Sequence, residues 1–329
     1  MKFQEFKGKI VPNLLRKFRL TKTQAKKLIC VITLCDAYGA IYPRESSKRA
    51  QWRLETKPNN TLHYFVHDLF LYAYNVKPLL RFRKSRELQF SELNGKICEK
   101  ILKDLFKFTP TFKTSPAKSI GESAEEYLRQ PQPTLKFLFT EPRWLQELAI
   151  RVIFDLEGCI VPRISIKKKK YKNKSYYQVQ FEPLLEISLT HPTLVKQLHA
   201  VLKKLDFNPK IVKDLREWSK VGGMRITRKK DIIRFLEIGG SLTYVRIHKS
   251  KKAGIYNNNN FFKQTLLKAS CELLKKYGTS KHFSTLEEAK KYVEYLKSEL
   301  IKLRNKLQKV EEKENPGIAG HGIPGIIAF

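Results

Sequence analysis

Two stretches of this chain repeat one another where chemistry is easiest to place. "ITLCDAYGAIYPR", residues 32–44, and "RVIFDLEGCIVPR", residues 151–163, share Asp, then Gly three residues later, then Ile, Pro and Arg at matched offsets. Asp155 and Glu157 stand two apart in the second copy, and Asp36 stands two before Tyr38 in the first. Carboxylate oxygens are hard ligands, and Mg²⁺ is commonly held by one or two of them while keeping several waters. A metal held in this way activates water and offsets charge on a phosphodiester under attack. Tyr38 takes the position of Glu157; a phenol of ordinary pKa, near 10, is neutral at pH 7 and no substitute for a carboxylate.

Such acids need rigid elements to bring them together. In the first copy, apolar spacing predicts a helix over 25–38, carrying Leu28, Val31, Ile32 and Cys35. Strands follow at 39–44 and 50–56, then a helix from Thr61 to about 75, a hairpin from "PLLRFRK" and "RELQFSE", and a helix near 94–107. The second copy repeats this order. Its helix runs to 157, a strand covers 158–167, "KKKKYKNK" makes the turn, and the return strand spans 175–189. "HPTLVKQLHAVLKKL" is a helix with Pro in its first turn. "PKIVKDL" and "GMRITR" are strands, and "KKDIIRFLEIGG" is a helix ended by glycine. The fold class is therefore α+β, with the order αββαββα written twice. Boundaries are set at 1–24 for an N-terminal extension, 25–107 for repeat one, 108–141 for a linker and 142–240 for repeat two. A basic and helical extension covers 241–314, and 315–329 is a Gly-rich tail expected to be flexible. Within the extension, Ser284 and Glu287 have capping-box spacing. Ala289, Val293, Leu296, Leu300, Leu303, Leu307 and Val310 form a heptad seam on a helix at 285–313. The seam either packs on its own domain in a monomer or pairs two chains through 289–310.

The chain has 329 residues with 65 Lys and Arg against 31 Asp and Glu, a net charge of +34. That excess argues for a polyanionic partner, nucleic acid before membrane. Double-stranded DNA is the leading partner and structured RNA the alternative. The five cysteines include no C-x-x-C pair, which disfavours a zinc ribbon or disulfide framework. No secretory or spanning segment is read, so a soluble intracellular protein, in cytoplasm or organelle matrix, is expected. His63 and His67, at i, i+4, are a candidate metal pair, with no H-E-x-x-H around them.

A helix ending in D-x-acid-G and followed at once by a strand, twice in one chain, resembles the LAGLIDADG family of homing endonucleases. "RVIFDLEGCIVPR" matches a divergent form of that motif, and "MRITRKKDIIRFLEIGG" is similar to the family's terminal strand and helix. The resemblance implies two motif helices packed side by side, and two four-stranded antiparallel sheets forming a saddle in the DNA major groove. It also implies a shared metal site, for Mg²⁺ if the protein is active. Carried onto this chain, Glu157 is the metal-binding acid, and Tyr38 replaces the other. Asp36 is a rescue acid only if the helix end is rearranged. Lys251 or Lys252 matches a lysine that assists at the phosphate. Thr33, Val152, Gly39 and Gly158 fall at the helix interface and the exit from it.

A reading sheet needs outward basic and polar residues. Repeat one offers Arg44, Lys48, Arg49, Gln51, Arg53, Arg81, Arg83 and Lys84; repeat two offers Arg163, Lys167, Lys168, Lys169, Lys170, Lys172, Lys174, Gln178, Gln180, Arg225 and Arg228. Arg and Gln make bidentate contacts to guanine and adenine, and lysines at a hairpin tip bind phosphate. An eight-residue strand spans roughly 27 Å, or about eight base pairs, giving a pseudo-symmetric site of about sixteen. Three functions fit: a metal-dependent DNA endonuclease impaired by Tyr38, a non-cleaving DNA-binding regulator, and an intron RNA maturase.

Overall fold

The computed structural model describes residues 19–43, 49–56, 61–83, 88–172, 174–243, 245–247 and 261–314. Repeat one begins with α1 (Lys22–Cys35), whose Thr21 and Gln24 form a capping box. Its residues Leu28 to Leu34 are all buried, the pattern of a helix surrounded by protein. Then come β1 (Ala37–Ile41), β2 (Ala50–Thr56), α2 (Leu62–Tyr74), β3 (Leu79–Arg83), β4 (Leu88–Asn94) and α3 (Gly95–Leu105). The four strands make an antiparallel sheet in the order β1-β2-β4-β3.

Residues 108–141 carry a short helix, α4 (Ala124–Leu128), and are more than a linker. Tyr127 is buried, its ring edge-on to His191 and Trp218 of repeat two. Leu135 donates its N–H to Gln197. This stretch packs because its apolar residues Phe112, Tyr127, Leu135 and Leu138 all find the core.

Repeat two holds α5 (Arg143–Glu157), β5 (Gly158–Tyr171), β6 (Lys174–Ile187), α6 (Pro192–Lys204), β7 (Lys210–Lys213), β8 (Val221–Ile226) and α7 (Lys229–Glu237). α1 and α5 pack against each other at the centre. A two-stranded ribbon, β9 (Arg246–Ile247) with β10 (Phe261–Phe262), leads into α8 (Lys263–Tyr277), β11 (Ser280–Phe283) and α9 (Leu286–Glu314). β5 and β6 pair over their whole length; the far edge of β6 takes β8 at Leu185–Ile187 and β11 at Tyr177–Gln180. The second sheet is thus β5-β6-β8-β7, as the repeat predicts, with β11 added from the extension.

Three sequence expectations change, and the heptad seam follows the first of its two readings, packing on its own domain. The first motif helix ends at Cys35 rather than 38. The lysine run lies in β5 rather than in the turn, which falls at Lys172 with φ 44°. The capping box of α9 is Thr285 with Glu288, one residue later than expected. The heptad seam is filled within the chain: Ala289, Val293, Leu296 and Leu300 are buried, Leu303 and Leu307 pack on the core, and Val310 is exposed. No described helix is long and apolar enough to cross a membrane.

Candidate nucleic-acid interface and acid pair

The two motif copies part company at the ends of α1 and α5. In "DLEG", Leu156 and Glu157 are good helix formers, and the helix runs to Glu157. In "DAYG", Tyr38 favours a strand. Ala37 pairs with Leu54 and Tyr38 with Arg53, so the chain leaves the helix three residues sooner. Asp36 then caps α1, its N–H donating to Ile32. Tyr38 stands half-exposed on the outer face of β1, its hydroxyl 2.9 Å from that of Tyr42. Partial burial and that pairing push its pKa up to about 12, leaving a neutral phenol.

With the early exit, Asp36 stands within electrostatic reach of Glu157. Burial raises the Glu157 pKa to about 7; repulsion from Asp36 adds to this, and the Lys263 ammonium opposes it. Asp36 retains solvent access, yet the protein crowding its carboxyl raises its pKa too, again against Lys263. Asp36 and Glu157, at the ends of the two packed motif helices, are thus electrostatically coupled.

Asp155 is the sequence equivalent of Asp36 but does different work. It is buried and accepts from Ser241 Oγ at 2.5 Å, Thr243 N at 2.7 Å and Thr243 Oγ1 at 2.8 Å. These bonds tie the 241–243 loop to α5. Arg151 completes the tie by donating to the carbonyls of Gly240 and Gly239. Gly158 begins β5 where a Cβ would collide with the Phe154 ring and carbonyl. The interface residues divide: Val152 is buried in α5, whereas Thr33 turns to its own sheet. Its hydroxyl donates to Ile29 O and accepts from Trp52 Nε1, both within 2.9 Å. Gly39 lies in β1, where an added Cβ would stand 3.1 Å from Leu102 and Thr33.

Sequence reading missed Lys263. This buried lysine donates to the carbonyls of Asp155 at 2.7 Å and Phe154 at 3.2 Å. Desolvation lowers its pKa, while Asp155, Asp36 and Glu157 hold it up. The signal was present in "FFKQTLL", a lysine inside an apolar run. Lys251 and Lys252 lie outside the described residues, as do Arg44, Lys48 and Lys84. The histidine pair is spent on structure: His63 is buried between Thr56 and Ser91, and His67 also bonds Ser91. Burial lowers the His63 pKa to about 3. Among the described residues no cluster of three or more His, Cys, Asp or Glu could hold a metal.

Both sheets start at the residue after an acid, β1 at Ala37 and β5 at Gly158. Strand alternation puts Arg163, Ser165, Lys167, Lys169 and Tyr171 on one face of β5, opposite Glu182, Gln180, Gln178, Tyr176 and Lys174 of β6. Lys168 and Lys170 point to the other face. Arg225 lies opposite Glu186 and donates to it at 2.7 Å. Arg228 is exposed just before α7, off the ladder. The first sheet's outer face is more self-contained. Gln51 and Asn94 both donate to Glu92, and Arg53 pairs with Glu55. Phe90 lies under the guanidinium groups of Arg53 and Arg83, with Arg81 opposite it. Arg49 is exposed beside Glu99.

No family profile matches this chain, and no curated protein does. Among solved structures it is similar to I-SmaMI bound to an uncleaved DNA target with calcium ions, at 12% identity and a TM-score of 0.46, over 83% of this chain and 97% of that one. It is similar to the I-LtrWI LAGLIDADG homing endonuclease bound to target DNA, at 10% identity and a TM-score of 0.44, over 87% and 98%. It is also similar to I-DmoI in complex with its nicked target DNA and manganese, at 13% identity and a TM-score of 0.39, over 68% and 98%. The solved proteins whose fold this chain resembles are LAGLIDADG homing endonucleases.

Proposed function

We propose that this chain is a sequence-specific duplex-DNA-binding protein, and that Asp36 and Glu157 form the acid pair of a divalent-metal-dependent phosphodiester hydrolase. The observation that supports this reading is the electrostatic coupling of Asp36 with Glu157 at the ends of the two packed motif helices, next to sheets whose outer faces bear cationic and amide side chains. Their oxygens suit a hard divalent cation such as Mg²⁺, which completes its shell with water and phosphate and so needs no third protein ligand. When bound, such an ion supplies Lewis acidity and an activated water. Asp36 offers the open, solvent-facing oxygen. Glu157 must release its proton, near pH 7, before it can act as a ligand. Lys263 holds the α5 terminus in place and offsets the negative charge of the pair.

Strand lengths make the DNA site lopsided. Seven-residue strands in the first sheet and fourteen-residue strands in the second span about 23 and 46 Å, or roughly seven and thirteen base pairs. The strand lengths favour a bound site of about twenty base pairs over the pseudo-symmetric site of about sixteen expected from an eight-residue strand.

A second reading, a binder that does not cut, draws on Tyr38 standing in the motif position and on the absence of a third ligand among the described residues. One experiment separates the readings. Duplexes are selected from a random pool at about 0.15 M salt, where non-specific binding is weakened, and the selected site is incubated with Mg²⁺. Cleavage of that duplex supports the hydrolase. A selected site left intact under Mg²⁺ and Mn²⁺ supports the binder. Failure to select any duplex, with structured RNA bound preferentially, moves the assignment to an RNA maturase.

A further inference from the structure

β11 comes from the C-terminal extension, yet it sits in the second reading sheet. It takes the edge of β6 that β8 leaves open: Ser280 pairs with Gln180, Lys281 with Val179, His282 with Gln178 and Phe283 with Tyr177. The ladder continues through Phe181 N–H, which donates to Thr279 O at 2.9 Å. Strand alternation sorts the side chains. Lys281 and Phe283 turn toward α9, with the Lys281 ammonium 4.8 Å from the Tyr292 ring centroid and the Phe283 ring 5.1 Å from it. Ser280 and His282 therefore share the outer face with Gln180 and Gln178. His282 stands edge-on to Tyr176 at 5.1 Å. Together with Tyr171, Lys172, Lys174 and Tyr176 it lines an open recess of about 480 Å³ beside the hairpin tip.

The recess is rich in donors. Two ammonium groups, an imidazole N–H and two phenols surround it, and no carboxylate lines it. Its place relative to DNA follows from spacing. Strands lie about 4.8 Å apart, and a major groove about 12 Å wide accepts a two-stranded ribbon. With β5 and β6 along the groove, β11 lies about 7 Å from the ribbon axis, at the rim where the sugar-phosphate backbone runs. We infer that β11 and the β5–β6 tip form a seat for a backbone phosphate of the duplex, with His282 and the Lys172 and Lys174 ammonium groups as its donors. The inference rests on the duplex-binding function proposed above. Through this seat the extension fixes the second half on the DNA without reading its sequence.

The test uses the full chain and its selected duplex. His282→Ala is expected to weaken binding about tenfold, the loss typical of one hydrogen bond to a charged group. It should weaken a scrambled duplex by the same factor and leave the selected sequence unchanged. His282→Gln, which keeps a donor, should recover part of the loss, and thermal unfolding of both variants confirms the fold. Single methylphosphonate substitutions, which remove one phosphate charge, complete a cycle. One position in the outer part of the second half-site should cost the native chain about tenfold more than it costs the His282→Ala chain, which keeps only the Lys172 and Lys174 contacts there. Additive losses at every phosphate overturn the seat. So does a changed base preference in His282→Ala, which would make His282 a base reader. If the native chain selects no duplex, the duplex function falls and takes the seat with it; a selected site with additive losses removes the seat alone.

Discussion

The two repeats share one element order but divide the labour. Repeat one ends its motif helix at Cys35 and leaves Asp36 at the helix end with solvent access. Repeat two runs its helix to Glu157 and spends the equivalent aspartate, Asp155, on the 241–243 loop. Repeat one has strands of five to seven residues and an outer face knitted around Glu92. Repeat two has a hairpin of two fourteen-residue strands whose lysines pass the end of the core, and it gains a fifth strand. Duplicated sequence thus preserved the frame, while the helix ends differ, and the acid of repeat one stands two residues earlier in the motif than that of repeat two.

That comparison is broken most directly by cleavage. If Asp36 is the partner of Glu157, Asp36→Asn and Glu157→Gln should each reduce Mg²⁺-dependent cutting of the selected duplex by about a thousandfold, several kcal/mol of transition-state stabilisation. Tyr38→Phe should change it less than threefold, and Tyr38→Asp should not raise it. A gain of cutting in Tyr38→Asp, with Asp36→Asn unchanged, would restore Tyr38 as the seat of an impaired acid. Next in size is stability. Asp155→Ala leaves Ser241 and Thr243 without their acceptor, removes the carboxylate charge that opposes Lys263, and should cost about 3 kcal/mol, read as a lowered urea midpoint. Asp36→Ala should cost under about 1 kcal/mol, because its side chain meets solvent. Equal losses would mean that both aspartates are structural.

Much of this frame was legible in the sequence because burial writes itself as periodicity. The apolar faces of α1 and α5, the helix at Pro192 and the glycine stop after α7 follow from spacing and punctuation alone. What escaped depends on competition between neighbours. The exit of α1 is decided by Tyr38 pairing with Arg53, a partner fifteen residues away. The lysine run reads as a turn from composition, yet the β6 ladder holds it extended, since each of its residues is paired with one across the hairpin. Lys263 and β11 come from beyond the repeats, so no internal symmetry announces them.

A smaller effect comes from pH. Glu157 holds its proton in the folded protein up to about pH 7, against 4.5 as its ordinary value. Below pH 4.5 both folded and unfolded states are protonated and the group has no influence. Between 4.5 and 7 only the unfolded state ionises, so rising pH favours unfolding; above 7 both states are charged and the loss is complete. Native stability should therefore fall by about 2 kcal/mol across that window, a discount on the roughly 1.4 kcal/mol per unit of an unscreened shift. Glu157→Gln should flatten the curve, leaving the variant the more stable protein at pH 8. Unfolding midpoints at pH 4.5, 6 and 8 decide it; parallel curves would place Glu157 in an ordinary solvated setting.

The finest test separates neighbouring lysines. If residues 167–170 formed a turn, their four ammonium groups would be equivalent and any pair could be lost at similar cost. As a strand they alternate. Lys167 and Lys169 lie on the outer face opposite Gln178 and Tyr176, while Lys168 and Lys170 lie opposite Tyr177 and Ser175 on the reverse. Each phosphate contact contributes about 0.9 to the slope of log affinity against log salt. Changing Lys167 and Lys169 to Ala should lower that slope by nearly 2 and weaken binding severalfold at 0.15 M salt. The Lys168 and Lys170 pair, equal in charge removed, should shift the slope by less than about 0.5. Because both double variants have the same net charge, a matched loss would show that only overall charge counts and that the hairpin does not lie face-down on the duplex. An unequal loss would fix which side of the longer repeat meets the DNA.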